Sequence, residues 1–365
     1  MSKLKNYQQQ LLQAIKAETR QVSLMEVCGT HTMAIAKSGI RELLPPNIKL
    51  RSGPGCPVCV TSQGDIDAVI EMVQNQDIIL VTFGDMMRVP GTRSSLQEER
   101  SQGADVRIAY SPLDALRIAR ENPSKEVVFL GIGFETTTPA IGITIEQARE
   151  EGLANFSVFS LHKLVPPALE LIFSDSEIMV DGLICPGHVS AVIGVKPYDI
   201  LAAQYGKPCV ITGFETLDIL EGIYMLIRQI LRSEAKAEIQ YRRVVKEEGN
   251  PIALQIIERI FKPIPARWRG LGVIPASGLG LREAYAGMDA RLKFKIREME
   301  EIPIKGCACG EVLTGKITPP DCALFGRACT PLQPVGPCMV SQEGSCAAYY
   351  RYTPASERKR LDENR

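Results

Sequence analysis

An excess of either sign of charge is missing from this chain. Its 365 residues carry 42 Lys plus Arg against 42 Asp plus Glu, so the formal net charge is zero. No global field draws it toward nucleic acid or an anionic membrane, and basic and aromatic residues do not interleave in a nucleic-acid-binding pattern. Long hydrophobic runs are missing too. The longest, such as 78–83 and 127–132, are too short to span a bilayer. The stretch 1–20 is rich in Gln and Lys and does not read as a secretory leader. The expected compartment is the cytoplasm, with no membrane partner and no nucleic-acid partner. Histidine is scarce: only His31, His162 and His188 occur.

Several nucleotide and radical signatures are also incomplete. Gly310 to Lys316 has the spacing of a phosphate loop, but Ile317 stands where Ser or Thr is required. Gly131 and Gly133 lack the third glycine of a dinucleotide fingerprint. No C-x₃-C-x₂-C occurs, which disfavours the usual radical chemistry of S-adenosylmethionine.

What is present is α/β patterning. Val/Ile-rich runs at 23–27, 78–83, 106–110, 127–132, 156–160, 182–185 and 209–212 read as strands without clean alternation. Helical stripes lie between them: Ile66, Val69, Ile70 and Val73, and Leu220, Ile223, Ile227 and Leu231. Such strands separated by helices imply parallel sheets covered on both faces. Gly-Phe-Glu-Thr occurs after a strand at 133–136 and again at 213–216, hinting at a duplication. The expected class is α/β: two similar parallel-sheet α/β units, 1–135 and 136–232, followed by 233–365. That last part begins with a charged helical stretch at 234–261 and a Pro/Gly-rich segment at 262–280 holding the only tryptophan, Trp268. A cysteine-rich region follows from residue 305, whose composition calls for a metal cluster in place of a large apolar core. The charge run at 357–365 reads as a solvated tail.

Cysteine carries the chemistry. There are 11, and six fall in the C-terminal region: Cys307, Cys309, Cys322, Cys329, Cys338 and Cys346. In a reducing compartment such clustering means metal or redox chemistry. Zinc sites favour paired C-x₂-C elements, and none occurs here, so an iron–sulfur cluster is the better reading. Spacing does not select which four ligate. Gly53-Pro54-Gly55-Cys56-Pro57-Val58-Cys59 has the C-x-x-C of a reversible dithiol. Half of a zinc site is the alternative, but no second C-x₂-C completes it. Cys28-Gly29-Thr30-His31-Thr32 follows a strand and opens a helical pattern, where α/β proteins place ligands. Cys28 is a candidate soft ligand, stabilised as thiolate by helix N-terminal amides, and His31 a ligand or proton donor. His188, in Cys185-Pro186-Gly187-His188-Val189-Ser190, sits at another strand end and faces the same crevice in this reading. His162 reads as structural and Cys209 as core.

CGTHT, GPGCPVC, PGHVS and the six-cysteine region together resemble the HypD family of hydrogenase maturation proteins, over nearly the whole chain. That resemblance implies a metallocentre assembly and redox scaffold, rather than a conventional turnover enzyme, for the Fe(CN)₂CO group of [NiFe]-hydrogenase. It implies a small HypC-type chaperone as partner, a HypE-type cyanide donor, and the hydrogenase large subunit as an indirect partner. It implies iron at Cys28, shared with a chaperone cysteine. It assigns a [4Fe–4S] cluster to Cys307, Cys322, Cys329 and Cys346, and redox pairs to Cys56/Cys59 and Cys309/Cys338. Thr30, Thr32, His31 and helix amides would donate to cyanide nitrogens. Electrons would then pass from the cluster to Cys309/Cys338, to Cys56/Cys59 and to the iron. The competing reading is a ferredoxin-linked thiol–disulfide reductase, which leaves CGTHT and PGHVS unexplained. A zinc-stabilised scaffold is the third.

Overall fold

The computed structural model describes residues 3–302 and 304–352, so the 357–365 tail lies outside the described residues. Among the described residues eleven strands occur in chain order: β1 (Val22–Glu26), β2 (Ile48–Ser52), β3 (Ile78–Thr82), β4 (Asp105–Ile108), β5 (Glu126–Gly131), β6 (Phe156–Ser160), β7 (Gly182–Pro186), β8 (Cys209–Thr212), β9 (Ala237–Ile239), β10 (Phe261–Trp268) and β11 (Gly272–Leu281).

They form two parallel sheets, as the uniform Val/Ile runs require, and one hairpin. The first sheet has the order β2-β1-β7-β8-β9 and the second β4-β3-β5-β6. Every neighbouring pair in both is parallel. Numbered by appearance, the first sheet runs 2-1-3-4-5, a doubly wound order whose switch point falls between β1 and β7. The second repeats the start of this pattern, with its switch between β3 and β5.

The sheets group the chain differently from a division at residue 135. β5 and β6 lie on either side of that position and are hydrogen-bonded neighbours. β1 and β2 join β7, β8 and β9, so the whole β3–β6 sheet is inserted into the first. Right-handed crossovers return the chain to an open strand edge irrespective of how far apart the strands lie in sequence.

One face of the first sheet is sealed by the helices Lys3–Lys16 and Thr216–Leu231, through Leu11, Ile15, Ile219, Leu220, Ile223 and Ile227. Leu231 closes the stripe in sequence but ends the helix and is 56% exposed. The stripe Ile66, Val69, Ile70 and Val73 is buried as expected, on the helix Gln63–Val73.

The Pro/Gly-rich segment forms the antiparallel β10–β11 hairpin, with a bulge between Ile264 and Ala266. Pro263, Pro265 and Pro275 mask it in sequence, because proline withdraws ladder donors and marks edges and bulges. Trp268 is fully buried. The expected helix at 234–261 narrows to Pro251–Ile260, preceded by β9.

The cysteine-rich region docks on this body through Gly270 and Gly310. A Cβ on Gly310 would stand 2.7 Å from the Cα of Gly270, so both must remain glycine for the backbones to touch. Among the described residues no helix is long and apolar enough to cross a membrane.

Candidate functional site

Cys28 lies two residues beyond the end of β1 and forms the N-cap of the helix Gly29–Ser38. No side-chain cap hydrogen bond reaches its sulfur, but the backbone amides of Thr30 and His31 lie close enough to favour the thiolate, as a helix N-terminus should. They do not make it acidic. Burial pushes the thiol up to about 11, and the Glu343 carboxylate adds to the rise. The expectation of a helix-stabilised thiolate is therefore corrected: desolvation outweighs the pull of the helix N-terminus. A soft cation on sulfur would supply the missing positive charge in place of the proton.

His31 is fully buried, and burial holds its pKa down at about 4. Its Nε2 lies 2.9 Å from the Gly213 carbonyl oxygen and 2.8 Å from Thr212 Oγ1. A carbonyl only accepts, so Nε2 carries the proton and Nδ1 a bare lone pair. Nδ1 has no partner. His31 thus spends its only N–H inside the protein, so it is suited to act as an acceptor or ligand rather than a donor.

His188 follows β7, the neighbour of β1 across the switch point. Its ring stacks on Phe214 at 4.1 Å, and His31 packs on the same ring at 4.7 Å. The two histidines therefore share one crevice, with Phe214 against both.

Glu343 was invisible in sequence. It accepts a 2.8 Å hydrogen bond from Thr30 Oγ1. A Cβ on Gly29 would collide with it. Because its negative charge raises the Cys28 pKa, Glu343→Gln should shift the alkylation profile of the Cys28 peptide to lower pH, as read by mass spectrometry. An unchanged profile would show that burial alone sets this thiol.

Gly55 brings the second motif into contact. The Gly29 amide donates to the Gly55 carbonyl at 2.9 Å, and a Cβ on Gly55 would fall on the backbone of Cys28. Next in the chain, Cys56 and Cys59 are disulfide-bonded. Cys56 N-caps the short helix Pro57–Val60 and accepts from the Cys59 amide. Cys59 Sγ in turn reaches the Pro337 carbonyl oxygen at 4.0 Å, beside Cys338.

Cys338 and Cys309 stand with their sulfurs 2.7 Å apart. Hydrogen bonds from Cys307 and Cys338 pull the Cys309 thiol well below its ordinary pKa, and the Arg269 guanidinium assists. Arg269 is 7% exposed, donates to the Thr61 carbonyl through Nε, and leaves one Nη without a partner. Cys307, Cys309, Cys322, Cys329, Cys338 and Cys346 all line one cavity, whose remaining wall includes Val312, Leu324, Phe325 and Met339. Among the described residues no group of three or more His, Cys, Asp or Glu side chains is gathered tightly enough to hold a single metal ion.

Two further cysteines play no part. Cys185 and Cys209 are fully buried on adjacent strands, each thiol against the other. His162 lies at the end of β6, in the other sheet.

These strand-end motifs can be set beside known proteins. The family model "HypD: Hydrogenase formation hypA family" matches residues 4–353. The chain belongs to the HypD family. A HypD hydrogenase maturation factor of Rhodobacter capsulatus is 49% identical over 338 residues, covering 91% of this chain and 89% of the relative. That of Escherichia coli strain K12 is 46% identical, covering 91% and 90%. That of Cupriavidus necator is 43% identical, covering 94% of each. HypD relatives thus match across both sheets and the cysteine-rich region together.

Proposed function

We propose that this chain matures [NiFe]-hydrogenase by holding an iron cargo at Cys28 while its Fe(CN)₂CO group is built. A small HypC-type chaperone would contribute a second thiolate, a HypE-type protein the cyanide, and the hydrogenase large subunit would be the eventual recipient. One observation carries the reading: a single line of sulfur leads from the cysteine-lined cavity to Cys28. It passes Cys309/Cys338, then Pro337 against Cys59, then Cys56 and Gly55 against Cys28.

The donor set of the cavity fits an iron–sulfur cluster. Six thiols converge on walls that are otherwise apolar, and thiolates in a dry shell are what such clusters bind. Cys307, Cys322, Cys329 and Cys346 would hold a [4Fe–4S] cluster, leaving Cys309 and Cys338 as the pair beside it. When bound, the cluster supplies single electrons at low potential.

The other steps belong to the chain's own residues. Oxidation of Cys309 and Cys338 to a disulfide releases two electrons and two protons. Reduction of Cys56–Cys59 to two thiols consumes both, by exchange through a mixed disulfide. The acidic Cys309 and its neighbour Arg269 keep one thiolate ready. At the crevice, the nearby Thr30 and His31 amides would favour the Cys28 thiolate, and His31 Nδ1 would offer an acceptor to the cargo.

Infrared and Mössbauer spectra of anaerobically purified protein with its chaperone test this. The expected result is two iron environments together with cyanide and CO bands. Colourless, iron-free protein would refute it. Cys309→Ala should keep Cys28 alkylatable but abolish hydrogenase maturation, measured as hydrogen uptake in cells; normal maturation would remove the relay.

A further inference from the structure

We propose that the cavity between the end of β6, the β10–β11 hairpin and the helix Gln63–Val73 is a second ligand site, built for a small oxyanion that still carries an O–H. It is separate from the Cys28 crevice and does not depend on the reading given for that crevice.

The cavity measures about 170 Å³. That is comparable to the engineered ~150 Å³ cavity that admits benzene, so five or six heavy atoms fit. Unlike that cavity, this one is polar. His162 lies in its wall at 1% exposure. The Ser160 hydroxyl has one proton and gives it to the Leu279 carbonyl oxygen. His162 Nδ1, 3.0 Å from the same hydroxyl, must therefore donate to it. Nε2 is left as a bare acceptor, and it has no partner. A buried acceptor in a cavity wall calls for a ligand that donates.

The next residue supplies the charge. Lys163 is 2% exposed, yet among the described residues its ammonium makes one hydrogen bond, 2.8 Å to the Arg267 carbonyl oxygen. A buried ammonium with donors to spare calls for an anion. Arg291 also lines the wall, tied to Asp65 at 3.0 Å and lying over the Phe159 ring. Across the wall, Lys163, Arg267 and Arg291 face Asp65 and Glu298, leaving one positive charge over. Glu301, which also acts on Lys163, is outside the wall and accepts from the Gln63 amide. The complement is a monoanion with at least one O–H to donate: dihydrogen phosphate and bicarbonate share this chemistry. Formate has the charge without the donor.

The chain carries its own reporter. Lys163 Nζ stands 5.6 Å from the centre of the Trp268 ring, and Trp268 is the only tryptophan. An anion drawing on the ammonium alters the cation–π contact and with it the indole emission. Full-length protein, purified anaerobically, is titrated with inorganic phosphate, bicarbonate and formate while Trp268 fluorescence is followed. The expected result is a saturable change with phosphate or bicarbonate, the tighter of the two naming the ligand, and about tenfold weaker binding of formate. Lys163→Met should weaken binding by at least about tenfold. Ser160→Ala frees Nδ1 from its fixed proton and should weaken binding too, with melting curves confirming that both variants fold. No saturable change with any of the three anions overturns the proposal. So does equal affinity for formate, or a response unaltered in folded Lys163→Met.

Discussion

Cys28→Ser should leave a folded protein that cannot mature hydrogenase. The change is nearly isosteric, and the residue is buried with its hydrogen bonding done by its backbone rather than by its sulfur. The folding cost should be small, about 1 kcal/mol. The functional cost is much larger. A serine hydroxyl is a hard, weakly acidic donor, whereas the proposed iron cargo would need a soft thiolate as its anchor. Losing a partner that merely orients a metal ligand costs about 10–100-fold in affinity, and losing the ligand itself should exceed this. The measurement is iron bound per chain in the complex with the chaperone, alongside hydrogen uptake in cells. Retained uptake with the Cys28→Ser variant would place the cargo elsewhere. The six-cysteine cavity is untouched by the change, so the visible absorbance of a cluster there should persist and separate the two iron environments.

How far the sequence announced this site depends on how local each part is. Cys28, Cys56 and His188 were legible because a βα junction is a local object. An apolar run, a break and a helical stripe mark it, and ligands gather at the carboxyl ends of parallel strands. The repeated Gly-Phe-Glu-Thr was legible as a repeat but not as a site. Only the second copy reaches the crevice, through Phe214 against both histidines. In the first, Phe134 stacks on Trp268 and the Glu135 carboxyl is buried, with burial raising its pKa to about 7. One motif at two strand ends thus has two environments, because the sheets that own those strands face different neighbours.

Glu343 and Arg269 were not legible at all. Thr30 and Glu343 are separated by 313 positions, and nothing in the local pattern around either marks the other. The same holds for the nesting of the sheets. A four-stranded sheet inserted between β2 and β7 leaves no trace in periodicity, since each strand reads alike wherever it pairs. The sulfur line was legible in its members only. Their order comes from Gly55, Gly270 and Gly310, three places where missing side chains let backbones meet.

Glu26→Ala should be the most destabilising single change near the crevice. Glu26 is a fully buried carboxyl at the C-terminal end of β1. It accepts from Ser52 Oγ at 2.7 Å and Thr32 Oγ1 at 3.1 Å, and lies 3.5 Å from an Arg41 nitrogen. Arg41 in turn covers the Tyr349 ring at 4.5 Å. One side chain therefore ties the CGTHT helix, the GPGC loop and the C-terminal helix Ser345–Tyr352 together. Alanine would strand Arg41 and the Ser52 hydroxyl without an acceptor, while Thr32 would keep only its longer 3.3 Å bond to the Cys28 carbonyl. Removing one partner from such a buried set costs about 3–5 kcal/mol, readable in urea unfolding. Glu26→Gln gives the sharper test. Burial raises the Glu26 pKa from 4.5 to about 7, so the folded state binds the proton more tightly than the unfolded chain. Its contribution is fully present below pH 4.5 and is lost as pH rises through 7. Glutamine cannot ionise. The variant's stability should therefore gain on that of the native chain between pH 4.5 and 7, however the buried histidines titrate, because they are common to both. A constant difference across that range would mean that Glu26 is ionised throughout, held by Arg41 against the cost of burial.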